Sequence, residues 1–175
     1  MTVRPATLED AEHLAFVHVR SWQAAYEGLL PQDYLDQLDV ARRTEGWRRW
    51  LENTDPPGTL VAVSAGDQGA GRIVGFAGLA PARDSDADPA RTGEVWAIYL
   101  LPQAWGKGVG RELMTEALER LASQGYQDAT LWVLRENARA RRFYEAAGFT
   151  ADGAEKLDDI AGSPVTEVRY RRSLP

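Results

Sequence analysis

The stretch "LLPQAWGKGVGREL", residues 100–113, sets Gly106, Gly108 and Gly110 at alternate positions on the threshold of a helix. Inside a helix each glycine forfeits about 1 kcal/mol relative to alanine, and a simple turn needs only one or two. Three suggest a backbone that something must approach closely. The run before them, "EVWAIYLL" (94–101), is strongly β-prone. Beyond them Val109, Leu113, Ala117 and Leu121 stand four apart and predict a helix with one buried face. Between a strand and a helix, unpaired N–H groups point outward with the positive end of the helix dipole, which suits an anion. Missing Cβ atoms admit a phosphate and permit positive φ; Lys107 adds a mobile cation. The spacing G-x-G-x-G fits neither the dinucleotide fingerprint G-x-G-x-x-G nor a P-loop. A flexible loop with glycines at tight contacts is the alternative reading of the stretch taken alone.

Outward from this centre, strand and helix signals mix along the chain. "TVRPAT" reads as a strand, and Thr7 caps a helix from Leu8 to about Tyr26. Pro31 suits a helix start, and "VARRTEGWRRWLENT" forms another helix, ended by "DPPG". "TLVAVSA" and "RIVGFAGLA" predict strands joined by a "GDQGAG" hairpin turn. "PARDSDADPARTG" reads as an exposed loop. "DATLWVL" is a strand, and "NARARRFYEAAGF" is a short helix capped by Asn137 and stopped at Gly148. "FTADGAEKL" and "VTEVRYRRSL" are final strands around the turn "IAGSP". With no internal repeat or linker, the 175 residues predict a single α+β or α/β domain, 1–175.

Composition narrows the function. Hydrophobic residues make up 44% and charged residues 26%, ordinary globular values that argue against disorder. No apolar run reaches the roughly 20 residues that span a bilayer, no signal peptide opens the chain, and a cytoplasmic protein without membrane association is expected. The absence of cysteine excludes disulfides and a thiol nucleophile. His13 and His18, both in the first helix, make poor metal ligands, so no metal is expected. A net charge of −6 argues against nucleic-acid binding and is compatible with a cationic substrate.

Two motifs in order resemble the GNAT family of acyl-CoA-dependent N-acetyltransferases. Gln103, Gly106 and Gly108 match the family's Q/R-x-x-G-x-G/A, and Gly110 extends it. Asn137, Ala140, Tyr144, Gly148 and Phe149 match its later N-x-x-A-x-x-x-Y-x-x-x-G-F. "SWQAAYEGLLP" in the first helix is similar to one branch of bacterial members. The resemblance implies α/β/α layers around a mixed, mostly antiparallel, twisted sheet of six to seven strands with a splayed parallel pair. It implies acetyl-CoA as acyl donor. The backbone from Gln103 through Lys107 and Val109 to Gly110 would cradle the pyrophosphate, and the edge at Ile98, Tyr99 and Leu100 would hydrogen-bond pantetheine as an added strand. Asn137 would lie near the thioester, and Arg141 is the arginine of "RARR" assigned to the CoA 3′-phosphate.

Acetyl transfer to an amine requires a base, and a lysine-like amine at pH 7 costs about 4.6 kcal/mol to neutralise. Glu94, heading "EVWAIYLL", is the candidate base, and Tyr144 holds the family's position for the acid that protonates the departing thiolate. The bland readings are a solvated strand-end carboxylate and a half-buried aromatic. Trp22 and Tyr26, one helical turn apart, and Trp96 are candidates for the acceptor pocket, though packing predicts the same residues. Strand alternation places Glu94, Trp96 and Ile98 on one face. A small primary amine is the expected acceptor, reached by direct attack in a ternary complex. A protein or peptide acceptor, which needs an open groove, and a non-catalytic acyl-CoA sensor are the alternatives. The final strands offer an edge for a homodimer.

Overall fold

The computed structural model describes residues 1–53, 58–65 and 71–175; the expected "DPPG" helix stop and the "GDQGAG" turn fall largely outside them. The elements run β1 (Thr2–Pro5), α1 (Ala11–Ala25), α2 (Gln32–Asp36), α3 (Val40–Asn53), β2 (Gly58–Ser64), β3 (Arg72–Pro81) and β4 (Thr92–Leu100). Then follow α4 (Val109–Ser123), β5 (Asp128–Leu134), α5 (Ala138–Ala146), β6 (Thr150–Ile160) and β7 (Ser163–Ser173). The strands form one sheet of order β1-β2-β3-β4-β5-β7-β6, antiparallel throughout except for β4 and β5.

That parallel pair decides the architecture. Its register covers only Thr92–Asp128, Gly93–Ala129 and Glu94–Thr130. Beyond Glu94 the two strands diverge, so among the described residues the β5-facing edge of β4 continues to Leu100 without a strand partner. Unpaired ladder groups attract another extended chain, and here they line a cleft.

One face of the sheet carries α4 and α5. Leu113, Met114, Ala117 and Leu121 of α4 are fully buried against Leu79, Val95, Leu131 and Tyr170, and each such leucine contributes about 2 kcal/mol by leaving water. Ala140 and Phe143 of α5 join this cluster. The opposite face holds α1 and α3, where Leu14, Val17 and Trp47 pack on Val61, Phe76 and Ala97. A third cluster, Leu30, Leu35, Leu134 and Val165, seats the segment from the end of α1 through α2 on the far ends of β5 and β7.

The expected alternation along β4 fails at one residue. Gly78 pairs with Ala97 and Leu79 with Val95, leaving Trp96 as the extra residue of a β-bulge. Trp96 and Ala97 both turn to the α1–α3 face, while Ile98 joins Val95 on the α4 face. Glu94 and Trp96 therefore share a face, but Ile98 does not. Gly78 makes room for the bulge, because a Cβ there would stand 2.2 Å from the Trp96 ring. The loop before β4 is largely exposed, as expected, yet it is tied to the sheet: Arg83, Asp84 and Asp86 bond to Glu94, Trp132 and Arg169.

Candidate active site

The splay of β4 from β5 opens a cleft of about 1190 Å³. On its α4–α5 side the three glycines separate into two roles. Gly106 and Gly108 sit at φ +70° and +83° with open space where a Cβ would project. Gly108 is the residue from which α4 springs. The first intrahelical donor is the Glu112 N–H, to the Gly108 carbonyl at 3.1 Å, so the N–H groups of Val109, Gly110 and Arg111 lie ahead of the ladder. Gly110 has ordinary φ, but a Cβ there would meet the Phe143 ring at 3.3 Å. It sets how closely α4 and α5 approach. Gly106, Gly108, Gly110 and Arg111 line the cleft. The open Cβ positions, the leading helix N–H groups and the β4 edge together fit a pyrophosphate followed by an amide-bearing chain.

Further residues complete this half. The Trp105 indole N–H donates to the Leu100 carbonyl at 3.0 Å, and the Arg139 guanidinium lies 3.5 Å from the centroid of the Trp105 ring. Asn137 caps α5 by accepting the Ala140 N–H at 3.1 Å, and it lines the cleft with Ile98, Tyr99 and Leu100. Arg141 is directed elsewhere. Its Nε donates to the Tyr170 hydroxyl and its Nη1 to the Arg135 carbonyl, so Arg139 is the arginine of "RARR" on the cleft wall. Gln103 and Lys107 are exposed, with Lys107 standing between Gly106 and Gly108, and the Val109 side chain is buried in the core, so Val109 can face the glycine turn only through its backbone.

Tyr144 lies deep between the two halves. It is 9% exposed, packed by Phe149 and Tyr170, and still borders the cleft. Burial, followed by the neighbouring Tyr99, pushes its phenol well above the ordinary tyrosine range, so it remains a proton donor at neutral pH. The Tyr26 and Tyr99 hydroxyls stand 3.3 Å apart. Burial raises both of these phenols as well.

On the α1–α3 side the cleft is walled by Tyr26, Trp96, Trp132, Leu134, Glu94 and Glu167. Trp22 backs this wall without lining it: its ring meets Tyr26 edge-on at 4.9 Å. Glu94 is 4% exposed, and both its oxygens accept from Arg83, Oε2 at 2.9 Å and Oε1 at 2.7 Å. Glu167 pairs with Lys156 at 3.0 Å. The Trp132 indole N–H donates to Asp84 at 3.1 Å. Asp84 also meets Arg169, whose guanidinium is held by Asp86 and Asp152 at 2.7 Å.

The GNAT acetyltransferase family model matches residues 19–149, which contain the parallel pair, the glycine turn and α5. The chain belongs to this family. This GNAT acetyltransferase is 33% identical over 168 residues to the uncharacterized N-acetyltransferase YuaI of Bacillus subtilis (strain 168), covering 96% of this chain and 90% of that one. Its fold is similar to PaiA N-acetyltransferase from Thermoplasma acidophilum, solved in complex with coenzyme A. That likeness has TM-score 0.68 and 24% identity over 98% of each chain. It is also similar to ribosomal-protein-alanine N-acetyltransferase from Brucella melitensis, with TM-score 0.74 and 22% identity over 99% and 100% of the two chains. Among the described residues of the GNAT chain, no group of His, Asp or Glu could hold a metal and no helix is long and apolar enough to cross a membrane.

Arg83, Trp105, Trp132, Arg139, Lys156 and Glu167 are cleft residues that the sequence reading did not select. Period-two alternation in "VTEVRYRRS" sets Glu167 and Arg169 on one face and Val168 and Tyr170 on the other. That pattern alone describes a solvated face; its cover comes from the α1–α2 segment over Val165 and from the loop before β4, whose Asp84 and Asp86 hold Arg169.

Proposed function

We propose that this GNAT protein transfers the acetyl group of acetyl-CoA to the primary amine of a small molecule, by direct attack in a ternary complex. The observation that carries the reading is one cleft with two unlike halves. A helix-capped glycine turn and an open strand edge face the donor side; an aromatic wall with two carboxylates faces the other. The donor half suits pyrophosphate and pantetheine, and the second half suits an ammonium ion with an apolar body.

Each step then falls to a named group. Glu94, held by the Arg83 fork, keeps a second lone pair on each oxygen and takes the amine's proton through water. Backbone N–H groups of β4 beyond the bulge stabilise the oxyanion. Tyr144, kept protonated by burial, delivers a proton to the departing sulfur. No covalent enzyme intermediate is needed, in keeping with a chain without cysteine.

The test is thiol release from acetyl-CoA over a panel of small amines and N-terminal peptides, with initial rates measured at varied concentrations of both substrates. Intersecting patterns with a small amine support the reading. Parallel, ping-pong patterns refute direct attack, and turnover confined to peptides refutes the small acceptor. Tight CoA binding with no turnover on any amine would make the chain a sensor.

A further inference from the structure

We propose that Trp132 and Glu167 form the acceptor's ammonium subsite, and that the side chain of Lys156 occupies it until the acceptor displaces it. The inference rests on the acetyl-transfer reading of the cleft. The ε-ammonium of Lys156 lies 3.0 Å from Glu167 Oε2 and 4.4 Å from the centroid of the Trp132 ring. One carboxylate and one indole face are what recognise a primary alkylammonium ion. All three residues line the cleft. The lysine side chain is chemically a butylammonium ion tethered to β6. The protein thus presents, in its own acceptor half, the contacts that an alkylamine would make.

The subsite is built and its resident is loosely held. Trp132 cannot swing away, because its N–H is fixed on both oxygens of Asp84 at 3.1 and 3.2 Å. Asp84 is itself anchored to Arg169, which is 8% exposed and clamped by Asp86 and Asp152. Strand pairing sets Lys156 opposite Glu167 and Glu167 opposite Leu134, so the carboxylate faces the apolar end of the pocket. The side chain of Glu167 is 19% exposed, whereas that of Lys156 is 45% exposed. The lysine therefore has solvent to move into.

The other cleft-lining carboxylate differs on this point. Glu94 gives both oxygens to the planar fork of Arg83, a bidentate pairing that an incoming amine displaces poorly. Glu167 has a flexible partner of the same chemical class as the substrate, so exchange of one ammonium for another leaves its charge satisfied. Glu167 lines the same cleft as Tyr26, Tyr99 and Tyr144, and its charge helps to raise the Tyr26 and Tyr99 phenols. The acceptor class is then a primary alkylammonium with a short apolar body and no carboxylate near the amine, since an acid group would face Glu167.

The experiment titrates the full chain with n-butylammonium, and separately with neutral n-butanol, while following the Trp132 indole N–H in ¹H–¹⁵N spectra. Butylammonium should shift this signal saturably in the wild type. Lys156→Ala should bind it about tenfold more tightly and Glu167→Gln at least about tenfold more weakly; butanol should leave the signal in place. With a working amine acceptor, Lys156→Ala should lower its KM while kcat holds. Equal binding by all three proteins, or weaker binding by Lys156→Ala, overturns the subsite. Acetyl-CoA binding is measured on the same samples: its retention shows that the variants are folded. Its absence from the wild type would refute the transferase reading separately, because the ammonium titration needs no CoA.

Discussion

His18 gives a pH dependence of folding whose size follows from its surroundings. It is 8% exposed on α1, stacked on Tyr99 at 5.4 Å and enclosed by Trp22, Trp47 and Phe76. Its Nδ1 is buried without a hydrogen-bond partner among the described residues. Burial, reinforced by the nearby Arg43, lowers its pKa from 6.5 to about 3. Between those values the unfolded chain binds a proton that the folded chain refuses, so stability rises with pH and is lost as pH falls below 6.5. The loss is negligible at pH 7 and amounts to about 2 kcal/mol at pH 5. His18→Phe removes the titration and fills the same aromatic cluster. Urea unfolding at intervals from pH 7.5 to 5 should show a steeper fall for the wild type, the two curves diverging by about 2 kcal/mol. Overpacking by the larger ring moves the variant's curve up or down as a whole and does not tilt it. Parallel curves would refute the reasoning, since they would mean that His18 takes its proton in the folded state.

Tyr144→Phe should lower kcat about 100-fold while leaving the KM for acetyl-CoA nearly unchanged; steady-state kinetics check the split. Because burial raises this phenol, the wild-type rate should show no alkaline limb from Tyr144 below pH 10. Gly108→Ala meets no steric obstacle but forces a side chain to φ +83°, at a cost of about 1–2 kcal/mol. Calorimetry should also find weaker CoA binding, because the new methyl stands in the cradle. Arg169→Leu leaves Asp84, Asp86 and Asp152 facing one another without their cation, and urea unfolding should record a loss of about 3 kcal/mol.

The architecture was legible because local signals agreed with one another. Strand, glycine turn and helix around residues 94–121 each announce themselves by period and composition, and the second motif supplies a partner for the first. What was not legible depends on pairing between distant strands. The bulge at Trp96 has no local signature: it arises where the Trp96 ring lies over Gly78 of β3. The Arg83–Glu94 fork closes across a loop whose composition reads as solvent-facing. Lys156 and Glu167 meet because β6 and β7 pair in one register, and their spacing in the chain carries no trace of that. The glycines show the same division. Their placement pointed to close approach, but only packing shows that Gly110 yields to Phe143 while Gly106 and Gly108 serve the backbone turn.

The bulge has a consequence of parity. Glu94 and Tyr99 are five residues apart, an odd interval, and a regular strand would send them to opposite faces of the sheet. One surplus residue between them turns odd into even. Without it the carboxylate would keep its place, while Tyr99 would exchange faces with Ile98 and leave the Tyr26 hydroxyl without its neighbour. The donor and acceptor sides of the cleft are thus both written on one strand, and Trp96 is the residue that keeps the two scripts in step.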